Sequence, residues 1–410
     1  MLINQSFEIP SCDDAELNIK RTSKLEYRIS YDDAKEMKAL VFIIGGYGAN
    51  ANISFLDFDR QYLAKNFPVV AINVFYHCFS HRRSNVEKYS AYKSFEKEDL
   101  DRIKDLLKKF NFAYTEVSND NAAFLADTLV KHVENLKKQN QLEQDFKLVF
   151  TSTFIPPNED YQNYGIMPAI DHINALKHLV KTYPEFKTLP RVMGGGSYGG
   201  YLSLLIAKIS PWYVNAVIDN SGSVLPSPMF ILGRESGQCE YVEKYPHNRI
   251  EFFSKTYWSA DTNSKYFFRP ENYIIRSLLN SSHLNLQARA NKDIIFTSYH
   301  SLKDEFNTAK DKQILFSAYK ELGYDATLNL IQDENQIDGK FIKDLKHGMR
   351  ITDKALFKKE LPLMLEKLKT RKSPMKENSI SYPCGNKIFT FKDVGDKFEL
   401  MIKEKNGNSE

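Results

Sequence analysis

The segment Arg191-Val-Met-Gly-Gly-Gly-Ser-Tyr-Gly-Gly-Tyr-Leu-Ser-Leu-Leu-Ile-Ala207 constrains this chain more than any other stretch. A short apolar approach, a glycine cluster holding one serine and an apolar helical run predict a strand, a sharp turn and a helix. Gly195 to Gly199 spell G-x-S-x-G, the pattern of a nucleophile elbow. In that reading Ser197 sits in a strained backbone conformation with its hydroxyl exposed, and its small neighbours let strand and helix pass close together. The backbone N–H of the next residue, Tyr198, would face a developing oxyanion. The same letters also give G-x-G-x-x-G through Gly194, Gly196 and Gly199, with Asp219 about 20 residues on, as a dinucleotide-binding turn requires. A purely structural glycine turn is the third reading, and the rest of the chain must choose among them.

Apolar runs that suit buried strands occur at Ala39–Gly45, Val69–Phe75, Arg191–Gly194, Ala216–Asp219, Asp293–Thr297 and Ala326–Ile331. Weak alternation between Phe7 and Tyr31 suggests entry strands. Helix-period segments lie between the runs: one starts near Pro168 and carries Ile170, Ile173, Leu176 and Leu179, and another ends at the stop signal Gly323. Buried strands alternating with amphipathic helices predict an α/β fold with a doubly wound, mostly parallel sheet. The last helix, near Asp353 to Leu368, contains Pro362 and should kink or split there.

Two stretches exceed what such a sheet needs. Residues 80–160 hold two helical patterns, one with Phe95, Leu100, Ile103, Leu107 and Phe110, the other with Leu125, Leu129, Val133 and Leu136, and read as an inserted helical cap. Residues 224–291 are rich in Tyr, Phe, Ser and Asn with weak periodicity and suggest short helices flanking a pocket. Lys387–Lys392 and Lys397–Lys403 alternate about Gly395 and predict a small C-terminal β-hairpin. The expected organisation is therefore a domain over 1–370 with the insertion at about 80–160, followed by a 371–410 extension.

At 410 residues and 42% hydrophobic content the chain can bury a large core. Its net charge of +4, from 56 basic and 52 acidic residues spread along its length, contains no polybasic tract and argues against nucleic acid or an anionic membrane as partner. The first twenty residues lack the charged start and apolar core of an export signal, and no apolar run approaches the roughly 20 residues of a membrane span. A cytoplasmic location is expected. Cys12, Cys78, Cys239 and Cys384 form no C-x-x-C pair, which favours free thiols over a disulfide frame or a zinc site. No cofactor or metal is expected, and oligomeric state is not legible.

If Ser197 is a nucleophile it needs an imidazole base and a carboxylate to orient that base, in the chain order serine, acid, histidine. Of nine histidines, His347 alone lies beyond the last predicted strand, in a loop as His347-Gly348. The acid should follow the strand that begins at Asp293, which selects Asp304, with Glu305 and Asp338 as lesser candidates. His300 lies too early for the base and should pack or hydrogen-bond near the acid loop, as should His172 and His178 on a helix face. The second oxyanion donor should come from the loop after the first central strand, Ile44-Gly-Gly-Tyr-Gly-Ala49, at Gly46 or Tyr47. A glycine loop there could also cradle a phosphate. Two glycine turns, an acid loop and a His-Gly loop in this order fit acyl chemistry together, whereas the dinucleotide reading accounts for them one at a time.

Gly195-Gly-Ser-Tyr-Gly-Gly-Tyr201, Gly45-Gly-Tyr-Gly48, the Asp304 loop and His347-Gly348 resemble the catalytic domain of the prolyl-oligopeptidase group and related acyl esterases, over roughly Leu40 to Leu368. The resemblance implies an α/β-hydrolase fold, a Ser197–Asp304–His347 triad, and oxyanion contacts from Tyr198 with Gly46 or Tyr47. The chain departs from that group in having only about 40 residues before the first central strand, where such peptidases usually carry a large propeller, and Ile44 stands where a histidine often opens the first glycine loop. The whole chain also resembles an uncharacterised hydrolase-like group from bacteria that glycosylate their flagellin. Together these imply a serine hydrolase or O-acyltransferase acting on a small or carbohydrate-linked ester. A silent hydrolase-fold scaffold and a dinucleotide-binding oxidoreductase are the rival classes.

Overall fold

The computed structural model describes residues 1–114, 116–371, 373 and 375–405. Contacts between Cα atoms divide the chain into two units: residues 1–79, 163–226 and 268–410, and residues 80–162 with 227–267.

The first unit is built on an eight-stranded sheet. Its strands are β1 (Leu2–Pro10), β2 (Lys24–Asp32), β3 (Ala39–Ile43), β4 (Val69–Phe75), β5 (Arg191–Gly196), β6 (Ala216–Asn220), β7 (Ile295–Ser301) and β8 (Asp325–Ile331). Their spatial order is β1-β2-β4-β3-β5-β6-β7-β8. Only β2 runs against its neighbours, pairing antiparallel with both β1 and β4, and every other pairing is parallel. The apolar runs seen in the sequence are these strands: β3, β4, β6 and β7 are buried along their whole length, as residues covered on both faces of a parallel sheet must be.

Five helices of this unit matter for the site: α1 (Ile53–Asn66), α2 (Ile166–Thr182), α3 (Tyr198–Ile209), α4 (Ala309–Glu321) and α5 (Asp353–Leu368). Every residue of α3 is buried, which matches a helix that is apolar nearly all round. On one face of the sheet, Val41, Ile43, Val192 and Ile218 join Leu356, Phe357, Leu361 and Met364 of α5 in one continuous core. Contrary to the expected break, α5 runs through Pro362 without a split. Pro362 lies on the exposed face, so the carbonyl of Lys358 that loses its partner faces solvent, while Phe357 and Leu361 anchor the buried face.

A three-stranded antiparallel sheet, Ser379–Cys384, Lys387–Val394 and Lys397–Glu404, closes this unit. It contains the hairpin expected about Gly395 and adds a preceding strand. The second unit carries the two expected helices, Lys97–Lys109 and Ala122–Lys138, with Ile103, Leu107, Leu129 and Val133 in its core. It also holds a four-stranded sheet of Tyr92–Ser94, Leu148–Ile155, Asn248–Ser254 and Tyr241–Lys244, two strands of which come from the weakly periodic 224–291 stretch, where the sequence suggests short helices.

Candidate active site

Ser197 joins β5 to α3 at φ 54°, ψ −120°, a conformation that non-glycine residues avoid. The turn is held in place on several sides. The Ser197 N–H donates to the Asn220 carbonyl at 2.7 Å, and its carbonyl accepts the Tyr201 N–H at 3.1 Å. The glycines around it serve close packing: a Cβ on Gly195 or Gly199 would stand 1.9 or 1.8 Å from the Ile44 carbonyl oxygen. The elbow and the end of β3 therefore touch backbone to backbone.

His347 Nε2 lies 2.8 Å from Ser197 Oγ, and His347 Nδ1 lies 2.8 and 3.0 Å from the two carboxyl oxygens of Asp304. With Nδ1–H donating to Asp304, Nε2 is left as the acceptor for the serine proton. The Asp304 side chain is fully buried and its Oδ1 accepts the N–H groups of Phe306 and Asn307, each at 2.9 Å. Burial pushes its carboxyl upward, but the bonds from His347, Asn307 and Phe306 outweigh this and hold it below the ordinary value, so it remains ionised beside the imidazole.

The lesser acid candidates have other places. Glu305 accepts the backbone N–H of His347 at 3.0 Å, steadying the histidine loop without touching the ring. Asp338 is exposed and accepts the N–H groups of Lys340, Phe341 and Ile342 in its own loop. His300 is buried, donates from Nε2 to the Asn307 carbonyl at 3.0 Å, and stands 3.7 Å from Asp304. On α2, His172 Nδ1 bonds the Pro168 carbonyl at 2.7 Å and His178 Nδ1 lies 2.7 Å from the Tyr27 hydroxyl.

Gly46 borders the nucleophile directly: a Cβ built there would lie 3.5 Å from the Ser197 Cβ and 3.3 Å from the Gly196 carbonyl oxygen. The Tyr47 ring meets the Tyr198 ring edge-on, with centroids 5.6 Å apart. Tyr198 is the first residue of α3, so its N–H is among those that a helix leaves free at its N-terminus.

Several side chains that bond the backbone around the site carry no motif. Asn220 donates from Nδ2 to the Gly348 carbonyl at 3.1 Å, and Ser221 Oγ accepts the Gly348 N–H at 3.2 Å, so the end of β6 ties down the loop carrying His347. Asn307 Nδ2 donates to the Ser221 carbonyl at 2.8 Å and joins the acid loop to the same point. Asp353 Oδ1 accepts the Gly196 N–H at 3.0 Å. Asn220, Ser221 and the acid loop share one signal: they stand at or just past the C-terminal ends of parallel strands, where such sheets gather their functional side chains.

Asp219, the residue that a dinucleotide site would use, is buried instead. It accepts from Lys312 Nζ and Ser298 Oγ, both at 2.6 Å, and from the Gly222 N–H at 2.8 Å, which leaves it no solvent face for a ribose. Two glycines of that pattern serve backbone packing: a Cβ on Gly194 would press to 2.7 Å on the Ile218 carbonyl oxygen, and one on Gly199 to 1.8 Å on that of Ile44. No group of three or more His, Cys, Asp or Glu side chains suited to a metal occurs among the described residues.

The strand order, the strained serine between β5 and α3, and an acid and a histidine on the loops after β7 and β8 define an α/β-hydrolase fold. Within it, the chain belongs to the family described as protein of unknown function (DUF2920), whose model matches residues 5–402. A comparison with curated protein sequences found no match. Similar solved structures include an acylaminoacyl peptidase from Pyrococcus horikoshii, 12% identical with a TM-score of 0.45, where the match covers 92% of this chain and 43% of that one. This chain thus spans less than half the length of that peptidase. A ferulic acid esterase is 10% identical with a TM-score of 0.42, covering 89% and 98% of the two chains. Thermogutta terrifontis esterase 2, phosphonylated by cyclosarin, is 13% identical with a TM-score of 0.38, covering 85% and 90%.

Proposed function

We propose that the protein is a serine-nucleophile acyl hydrolase that cleaves an ester of a small or carbohydrate-linked molecule through an acyl-enzyme. The observation that carries this reading is the continuous hydrogen-bonded line from Ser197 Oγ through His347 to the buried carboxyl group of Asp304. Ser197 Oγ attacks the ester carbonyl as His347 Nε2 takes its proton, and Asp304 stabilises the imidazolium. The tetrahedral oxyanion is held by the Tyr198 N–H and by an N–H of Gly46 or Tyr47. Collapse breaks the bond to the alcohol, which leaves with the proton from His347. Water, deprotonated by the same imidazole, then releases the acid and restores Ser197.

A sugar hydroxyl in place of water would make the same residues an O-acyltransferase. A glycan-linked ester is the substrate class that the likeness to flagellin-glycosylating bacteria favours, and a cytoplasmic setting agrees with four free thiols. The test is labelling with a fluorophosphonate probe, which reports an activated serine without the substrate. Labelling of the wild type that disappears in Ser197→Ala and His347→Ala is the expected result. A folded wild type that takes no label would turn the reading toward a silent scaffold.

A further inference from the structure

The amide that precedes the nucleophile is held by a carboxyl that the triad does not use. Asp353 opens α5 six residues after His347, and its Oδ1 accepts the Gly196 N–H at 3.0 Å. A Cβ on Gly196 would lie 3.5 Å from that oxygen and 3.8 Å from Asn220 Nδ2, so the last residue of β5 sits between these two side chains. From α1, Asp59 stands near enough to Asp353 for their charges to interact, and the backbone N–H of Lys354 favours its ionised form. Two carboxyls thus meet at the start of α5, one on the elbow and one on the helix.

We propose that Asp353, backed by Asp59, is a positioning residue for the nucleophile elbow, its carboxyl oxygen fixing the Gly196 amide and with it the turn that presents Ser197 to His347. The role rests on the hydrolase reading above. Without an acceptor, the Gly196 N–H would be left unpaired beside a residue already at a strained φ, and the turn would have one restraint fewer where an ångström of displacement matters. The pair also makes the restraint sensitive to pH. Burial, then the Asp59 charge, pushes Asp353 up to about 7 against the Gly196 hydrogen bond. Burial likewise pushes Asp59 up to about 6, against the Lys354 N–H and ammonium. The groups that face the pair are Asp59 from α1, Lys354 from α5, whose ammonium lies over the Phe58 and Tyr62 rings, and the uncharged amides of Gly196 and Asn220 from β5 and β6. Near neutrality a proton leaves this pair, and the ionised oxygen is the stronger acceptor for Gly196.

The experiment uses the full chain with Asp353→Ala, Asp353→Asn and Asp59→Asn, read by hydrogen exchange of the elbow peptide and by the rate of fluorophosphonate labelling between about pH 5 and 8. Loss of one charge-assisted hydrogen bond should speed exchange at Gly196 by about 10-fold in Asp353→Ala, while Asp353→Asn, which keeps an acceptor oxygen, stays near the wild type. The ratio of wild-type to Asp353→Asn labelling should rise with pH, and Asp59→Asn should shift that rise to lower pH. Unchanged exchange in Asp353→Ala overturns the inference, as does a flat ratio that Asp59→Asn does not move. Should Asp353→Ala fail to fold, the Asn variants decide the matter through that ratio. A wild type that takes no label sinks the hydrolase reading alone, because the exchange result needs no chemistry. A labelled wild type with unchanged exchange in Asp353→Ala removes this inference and leaves the hydrolase reading in place.

Discussion

Ser197 combines a useful hydroxyl with a costly backbone. At φ 54°, ψ −120° it occupies a region open mainly to glycine, at an expense of about 1–3 kcal/mol. Ser197→Gly should therefore relieve strain, offset in part by the extra freedom of glycine in the unfolded chain, for a net gain of about 1 kcal/mol. Ser197→Ala should gain nothing. Paired denaturant melts check this, and a Gly variant no more stable than the Ala variant would show that the turn stores no strain. Asp304 has a separate role, since its carboxylate selects the tautomer that leaves Nε2 free to accept the serine proton. Asp304→Asn preserves the shape but can present an amide N–H to Nδ1 and reverse the tautomer, so labelling should slow by about 10⁴-fold without loss of fold. Labelling rates and circular dichroism on the same preparation would separate the two effects.

Elements meet here through backbone, and that explains what the sequence disclosed. The glycines read as an elbow are those whose missing side chains let α3 and β5 touch the end of β3. Gly195→Ala or Gly199→Ala would set a methyl within 2 Å of the Ile44 carbonyl, which no rotamer can relieve. Either should give insoluble or unfolded protein; a soluble variant with an unchanged melting temperature would contradict the packing described. Strands β3 to β7 were legible because burial on both faces leaves a continuous apolar run, and the edge strand β8, only partly buried, showed instead through its alternating Ala326, Leu328 and Leu330. The strands at Tyr241–Lys244 and Asn248–Ser254 were not, because their intermediate and exposed residues follow no clean period. Ser197, Asp304 and His347 were legible as a set by chain order, and the structure brings all three within hydrogen-bond distance. Asn220, Ser221 and Asp353 stayed hidden, since a polar residue at a strand end or helix start reads as an ordinary turn or cap until its partner is known. Asn220→Ala removes the bond to the Gly348 carbonyl and should slow labelling by about 10-fold, through the loop that aims His347.

At the scale of the larger unit, the C-terminal sheet is bound to the helices behind the elbow by buried polar contacts. Asn174 of α2 pairs with the backbone of Phe398 in both directions, at 2.8 and 3.1 Å, and the Tyr382 hydroxyl bonds the Lys208 carbonyl at 2.5 Å. Lys208, near the end of α3, directs its ammonium at the Ile275 and Ser277 carbonyls at 2.6 and 2.7 Å, and burial lowers it to about 7. Its unfolded value is near 10.5, so between about 7 and 10.5 the unfolded chain binds the extra proton and stability rises with pH. Below about 7 both states are charged and the full cost of burial applies. Lys208→Met should flatten that rise relative to the wild type, and parallel curves would place the proton elsewhere. Asp393 is the principal tie. It takes the ammonium of the buried Lys177, the Tyr213 hydroxyl at 2.8 Å, the Trp212 indole N–H at 3.3 Å and the Asn378 N–H at 2.9 Å. Asp393→Ala would leave Lys177 buried without its charge partner and three donors without an acceptor, a loss of about 3–5 kcal/mol. Asp393→Asn keeps acceptor geometry without the charge and should lose less. Thermal melts of the two variants decide this: equal stability for Ala and wild type would mean that the sheet is held by apolar contact alone, through Trp212, Tyr213 and Phe398, whose rings meet at 6.2 and 6.5 Å.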